Sequence, residues 1–241
     1  MQKRRGGILL ALDTTELDQA RQWARATAGS VAGVKLGLEF FNARGPDGVR
    51  QVAEMGAPIF LDLKFHDIPN TVAGAIRGVV PLRPAIVNVH AGGGPAMLRA
   101  AADAAKDAAA KLGIPAPKVI GVTVLTSMSD EDLAAVGQPD GAADQVRRLA
   151  ALTKDCGLDG VVCSPHEIAQ LRRDLGADFL LVTPGVRPSW ASAGDQKRVM
   201  EPRQAMAAGA DFLVIGRPIT GAADPAEAAR RIAHEISDAA A

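Results

Sequence analysis

The sequence predicts a (β/α)8 TIM barrel of the α/β class, folded as a single domain over residues 1–241, and three observations carry that expectation. Short apolar runs recur eight times along the chain, each nearly continuous, as expected of parallel strands buried on both faces. Segments with helical spacing and helix-start signals separate them. No proline-, glycine- or serine-rich linker interrupts the alternation. A doubly wound open sheet is the structural alternative, but the first run leads into Asp13-Thr14-Thr15-Glu16 and not into a Gly-x-Gly-x-x-Gly turn.

The runs are Ile8–Leu12, Val31–Leu36, Ile59–Leu63, Ala85–Val89, Val119–Val124, Gly160–Cys163, Phe179–Val182 and Phe212–Ile215. After the first, Asp13-Thr14-Thr15 precedes Leu17, Ala20, Trp23 and Ala24, which reads as a capped amphipathic helix. Pro95 opens an alanine-rich helix from Ala96 to about Leu112. Ser164-Pro165 and Asp224-Pro225 each pair a capping side chain with a proline suited to the first helical turn. Residues 1–7 are basic, lack a signal-peptide core after them, and read as a flexible lead.

Lysine plus arginine equal aspartate plus glutamate at 27 each, and 48% of residues are hydrophobic, so the chain has ample core and announces no nucleic-acid or membrane surface. No run reaches the length of a membrane span, which leads us to expect a cytoplasmic protein. Cys156 and Cys163 form no CxxC pair and read as reduced, structural residues.

A barrel collects its chemistry at the carboxyl ends of its strands, and here those ends are polar. They carry Asp13, then Lys35, then Asp62 and Lys64 with His66 and Asp67 beyond, then Asn88 and His90. Thr123, Thr126 and Ser127 follow the fifth run, Ser164 the sixth, Thr183-Pro184-Gly185 the seventh and Gly216-Arg217 the eighth. Strand alternation would put Asp62 and Lys64 on one face, as a structural ion pair or as reactive groups. Gly185 and Gly216-Arg217 stand where many barrels hold a phosphate, or they serve only as turns. No HExxH, Walker A or Gly-x-Ser-x-Gly motif is present, the four histidines show no zinc-ligand spacing, and Trp23 and Trp190 are too isolated for a stacking platform.

The string Asp62-Leu63-Lys64-Phe65-His66-Asp67-Ile68-Pro69-Asn70-Thr71 closely resembles the signature of the orotidine 5′-phosphate decarboxylase family, in its bacterial form. Supporting motifs include Val34-Lys35-Leu36-Gly37, Val87-Asn88-Val89-His90-Ala91, Thr183-Pro184-Gly185-Val186-Arg187-Pro188 and Val214-Ile215-Gly216-Arg217-Pro218, so the resemblance spans residues 8 to 236. It implies a cofactor-free, metal-free decarboxylation that yields UMP and CO2. Lys64 matches the proton donor to C6 of the pyrimidine and Asp62 the carboxylate beside the departing group. Lys35 and Asp13 match groups that hold the ribose and complete the charged array. Asp67 and Thr71, flanking Ile68, Pro69 and Asn70, match residues contributed across a homodimer interface. Thr126 or Ser127 matches the contact to the pyrimidine edge, near Pro184, and Arg187, Gln196, Gly216 and Arg217 match the phosphate grip. The segment Arg187 to Arg198, with few core anchors, is expected to close over that phosphate. A Mg-dependent sugar-phosphate decarboxylase or synthase of the same superfamily is the alternative; Ile68-Pro69-Asn70-Thr71 favours the nucleotide enzyme.

Overall fold

The computed structural model describes residues 7–191 and 200–237. Eight parallel strands close into a barrel in chain order: β1 (Gly7–Ala11), β2 (Gly33–Gly37), β3 (Ile59–Phe65), β4 (Ile86–His90), β5 (Lys118–Val122), β6 (Gly160–Val162), β7 (Leu180–Thr183) and β8 (Phe212–Ile215). β1 pairs with both β2 and β8, which removes every sheet edge. The helices are α1 (Leu17–Ala26), α2 (Leu38–Ala53), α3 (Pro69–Val79), α4 (Gly94–Leu112), α5 (Asp130–Ala135), α6 (Gly141–Asp155), α7 (Ile168–Leu175), α8 (Pro202–Ala207), α9 (Arg217–Thr220) and α10 (Pro225–Ser237). The sequence runs locate all eight strands to within one or two residues, and Gly7, expected in the lead, already pairs with Phe212.

Strand alternation sorts the core into a lumen and a shell. Leu9 joins Phe60, Ile86, Ile120 and Val182 in the lumen, whereas its neighbours Ile8 and Leu10 belong to the outer shell, in one cluster with Ala20 and Ala24 of α1 and Ala229 and Ile232 of α10. The lumen cluster fills the lower barrel; truncating fully enclosed Phe60 to alanine should cost about 3–5 kcal/mol. Two residues further along β3 and β4, the lumen-facing positions become Asp62 and Asn88, both buried. The barrel thus has an apolar floor and a polar upper layer.

The helix-start signals hold with one exception. Asp224 accepts from Glu227 N at the start of α10, and Ser164 N donates to the Glu167 carboxylate at 2.8 Å in the turn before α7. Asp13-Thr14-Thr15, by contrast, does not cap α1: its N-cap is Glu16, and Thr14 Oγ1 accepts from Glu16 N in a local turn. The Asp13 carboxylate is committed to Lys35 instead.

Candidate active site

Four charged side chains of alternating sign meet at the carboxyl ends of β1, β2 and β3. Lys35 Nζ lies 3.1 Å from Asp13 Oδ1 and 3.4 Å from Asp62 Oδ2, and Lys64 Nζ donates to Asp62 Oδ1 at 2.7 Å. Lys35 and Asp62 are buried, Lys64 is half-buried, and Asp13 reaches solvent at the rim. Burial alone would raise the Asp62 pKa. The positive charges of Lys35 and Lys64, with hydrogen bonds from Lys64 and Asn88, outweigh it and hold the carboxyl below its ordinary range.

Simple alternation does not account for how Lys64 reaches Asp62. The register between β3 and β4 pairs Leu61 with Val87 but Phe65 with Val89, so β3 carries extra residues in that interval. Lys64 occupies this bulge at φ +51, in the left-handed region. A residue other than glycine held there costs about 1–3 kcal/mol, and such strain concentrates where side chains are re-aimed. Asn88 closes the bulge from β4: its Oδ1 accepts from Lys64 N at 2.8 Å, and its Nδ2 donates to Asp62 Oδ1 at 2.7 Å. The sequence marked Asn88 only as a polar strand end; its role becomes visible through the register.

His90, at the end of β4, stacks obliquely against His66 with ring centroids 5.4 Å apart. Burial first, then the neighbouring His66 and Lys64, lower the His90 pKa from its ordinary value, which disfavours a further positive charge beside the array.

The remaining expected residues lie around this centre. Thr126 and Ser127 are the exposed middle of a turn closed by Met128 N donating to Leu125 O, beyond β5. After β7, Pro184 leads to Gly185 at φ +80, a turn that suits glycine, and then to buried Arg187, whose N–H donates to Met200 O. Gly216 ends β8 against β1: a Cβ there would stand 3.3 Å from Ala11 Cβ and 3.9 Å from Asp13 Oδ2. Arg217 follows it, exposed, as the first residue of α9. Gln196 lies outside the described residues, as does most of the expected closing segment. The part of it that is described is better anchored than its composition suggested, because Pro188 is buried and the Arg231 guanidinium sits 4.7 Å from the Trp190 ring.

Asp67 does not join the array within this chain. Its Oδ1 accepts from Ile68 N, and residues 66–71 form a continuous exposed stretch in which Ile68 is 67% accessible. A mainly apolar cavity of about 690 Å3 opens at the opposite end of the barrel, among Leu9, Phe60, Ile86 and Phe212. Two of the charged groups on its rim are engaged structurally, Lys118 with Asp159 and Asp211 with Arg172.

The family model for "Orotidine 5'-phosphate decarboxylase / HUMPS family" matches residues 7–232. An orotidine 5′-phosphate decarboxylase of Rhodospirillum rubrum is 63% identical over 230 residues, covering 95% of this chain and 93% of that one. One from Paramagnetospirillum magneticum is 56% identical over 229 residues, covering 95% and 97%. The crystal structure of orotidine 5′-phosphate decarboxylase from Lactobacillus acidophilus superposes with a TM-score of 0.85 at 37% identity, covering 95% of this chain and 98% of that one. With the match running through every strand of the barrel, the chain belongs to the orotidine 5′-phosphate decarboxylase / HUMPS family.

Proposed function

We propose that this barrel is a carboxy-lyase that converts orotidine 5′-phosphate to UMP and CO2, with the alternating Asp13, Lys35, Asp62 and Lys64 array as its reaction centre. The observation that carries the reading is the Lys64 ammonium held 2.7 Å from a buried, ionised Asp62. Breaking the bond between C6 and the carboxylate leaves an electron pair in the plane of the pyrimidine ring, where the π system cannot absorb it. Positive charge must stabilise that pair in place. Lys64 supplies it and then gives a proton to C6, and solvent reprotonates the amine. Asp62, beside the departing carboxylate, repels the ground state and is relieved as neutral CO2 forms. Lys35 keeps Asp62 ionised, and with Asp13 it offers polar groups to the ribose.

Phosphate binding is assigned to Arg187, Gln196, Gly216 and Arg217, with Gly185 permitting the turn, and the pyrimidine edge to Thr126 or Ser127 near Pro184. Binding energy from the phosphate, a part of the substrate that does not react, would help assemble the charged centre. Asp67 and Thr71 are assigned to the second site of a homodimer, and Ile68, Pro69 and Asn70 between them to substrate binding. Their exposure in a single chain, and the separation of Asp67 from Lys64's ion pair, support this. Among the described residues no helix is long and apolar enough to cross a membrane, and the cytoplasm is the proposed compartment.

A spectrophotometric assay following loss of orotidine 5′-phosphate, with and without EDTA, tests the reading. Turnover should persist in the chelator. Activity abolished by EDTA and restored by Mg2+ would favour the metal-dependent alternative.

A further inference from the structure

We infer that Asn88 is a positioning residue for the reaction, its amide holding the β3 bulge that aims the Lys64 ammonium at the Asp62 carboxylate; this rests on the assignment of Asp62 and Lys64 made above. Asn88 is fully enclosed, and its side chain is used on both sides. One face meets a backbone N–H, which only an acceptor can satisfy, so Oδ1 must point at Lys64. The other face meets the Asp62 carboxylate, which requires a donor, and Nδ2 is there at 2.7 Å.

Neither leucine nor ionised aspartate, both of similar size, supplies both. Leucine would leave the Lys64 N–H without this acceptor inside the barrel, and an ionised aspartate would set a second carboxylate against Asp62. The bulge makes the requirement acute. In a regular parallel pair the Lys64 N–H would take a ladder carbonyl of the neighbouring strand, but the register slip between Leu61 and Phe65 leaves it to a side chain. Asn88 therefore couples the backbone that aims one reacting group to the carboxylate of the other.

The coupling can be read by pH. Asp62 faces Lys35 from β2, Lys64 from its own strand and Asn88 from β4, with Asp13, just beyond β1, behind Lys35 and the His90 and His66 rings nearby. In Asn88→Asp the two adjacent carboxyls would share one proton. The protonated form reproduces the amide, its hydroxyl donating to Asp62 and its carbonyl accepting from Lys64 N. When the shared proton leaves, the arrangement is lost.

The test compares Asn88→Leu and Asn88→Asp in kcat, KM and pH profile, with thermal unfolding and UMP affinity followed in parallel. Asn88→Leu should lose about 10²-fold in kcat, the scale of a misplacement near 1 Å, while KM and UMP affinity stay within about threefold. Asn88→Asp should approach parental kcat at the acid end and fall toward the leucine level as the pH rises, a limb absent from the parent. A folded Asn88→Leu with kcat within about threefold of the parent would overturn the inference. So would an Asn88→Asp profile parallel to the parent's, or failure of both variants to fold at any pH, which would make Asn88 a structural keystone. Asp62→Asn and Lys64→Ala serve as controls: their retaining activity would refute the site assignment itself, whereas their inactivity beside normal Asn88 variants would refute only the positioning role.

Discussion

Replacing Lys64 by alanine removes the group assigned both to stabilise the C6 carbanion and to protonate it. Loss of a positioned proton donor costs about 10² to 10⁴ in rate. Removing one preorganised charge-stabilising group costs about 10² to 10³ more, so the combined loss is about 10⁴ to 10⁷, or about 5 to 10 kcal/mol in the barrier. Lys35 cannot substitute while its ammonium is held between Asp13 and Asp62 at 3.1 and 3.4 Å. The fold should nonetheless survive, because Asp62 keeps Lys35 and the Asn88 amide as partners. With Lys64 partly open to solvent, its ion pair is worth about 1 kcal/mol of stability.

The backbone at this position supplies an independent check. Lys64 stands at φ +51, and relieving a left-handed residue with glycine recovers about 1–2 kcal/mol, against which the more flexible unfolded chain takes back about 0.4–1 kcal/mol. Lys64→Gly should therefore be as dead as Lys64→Ala yet at least as stable, by up to about 1.6 kcal/mol. Turnover would be followed by loss of substrate absorbance and stability by urea unfolding. A folded Lys64→Ala enzyme within about tenfold of parental turnover, a barrier change of only about 1.4 kcal/mol, would refute the catalytic assignment. A glycine variant less stable than the alanine variant would refute the strain.

Three further outcomes are expected. Mixing inactive Lys64→Ala and Asp67→Ala subunits should restore up to about a quarter of parental activity, since one site of each mixed dimer receives both intact residues; no recovery after verified exchange would count against a shared site. Arg217→Ala should lose far more activity toward the phosphorylated substrate than toward its nucleoside, and equal proportional losses would remove Arg217 from the phosphate grip. Burial pushes the Glu167 carboxyl up to about 7, against the opposing effect of the Ser164 N–H. Between 4.5 and about 7 the folded chain holds a proton that the unfolded chain has released, so this group's contribution to stability falls as the pH rises through that window, by about 3 kcal/mol in total. Glu167→Gln keeps the acceptor for Ser164 N and should flatten that slope in melting temperatures measured from about pH 5 to about pH 8; an unchanged slope would show that Glu167 does not set it.

The barrel was legible because strands buried on both faces leave uninterrupted apolar runs, and its closure has no strand edge to disguise them. The site was legible for a related reason: a lumen-facing strand position that turns from Phe60 to Asp62 exposes a charge the core would otherwise exclude. Local grammar misled at Asp13, where a helix-capping side chain in sequence is an ion-pair partner in space. The register slip was invisible because neither Asp62-Leu63-Lys64 nor Asn88 contains the glycine that often marks a bulge. Alternation thus predicted that Asp62 and Lys64 share a face, while their contact depends on a departure from alternation.

That departure bears on why the charges are kept. A carboxylate as enclosed as Asp62 would by burial alone tend to take up a proton, and a neutral acid would neither repel a substrate carboxylate nor hold an ammonium. Lys35 prevents this from one side. Lys64 helps from the other, yet in the proposed mechanism Lys64 also gives up its proton during turnover, so its support would lapse when it becomes neutral. Asn88 supplies a donor that does not titrate, fixed to the same carboxylate oxygen that Lys64 uses. In that mechanism an array with a permanent amide beside a transient ammonium would keep Asp62 ionised and Lys64's backbone aimed through the interval before reprotonation, letting the centre reset without rearranging its strands.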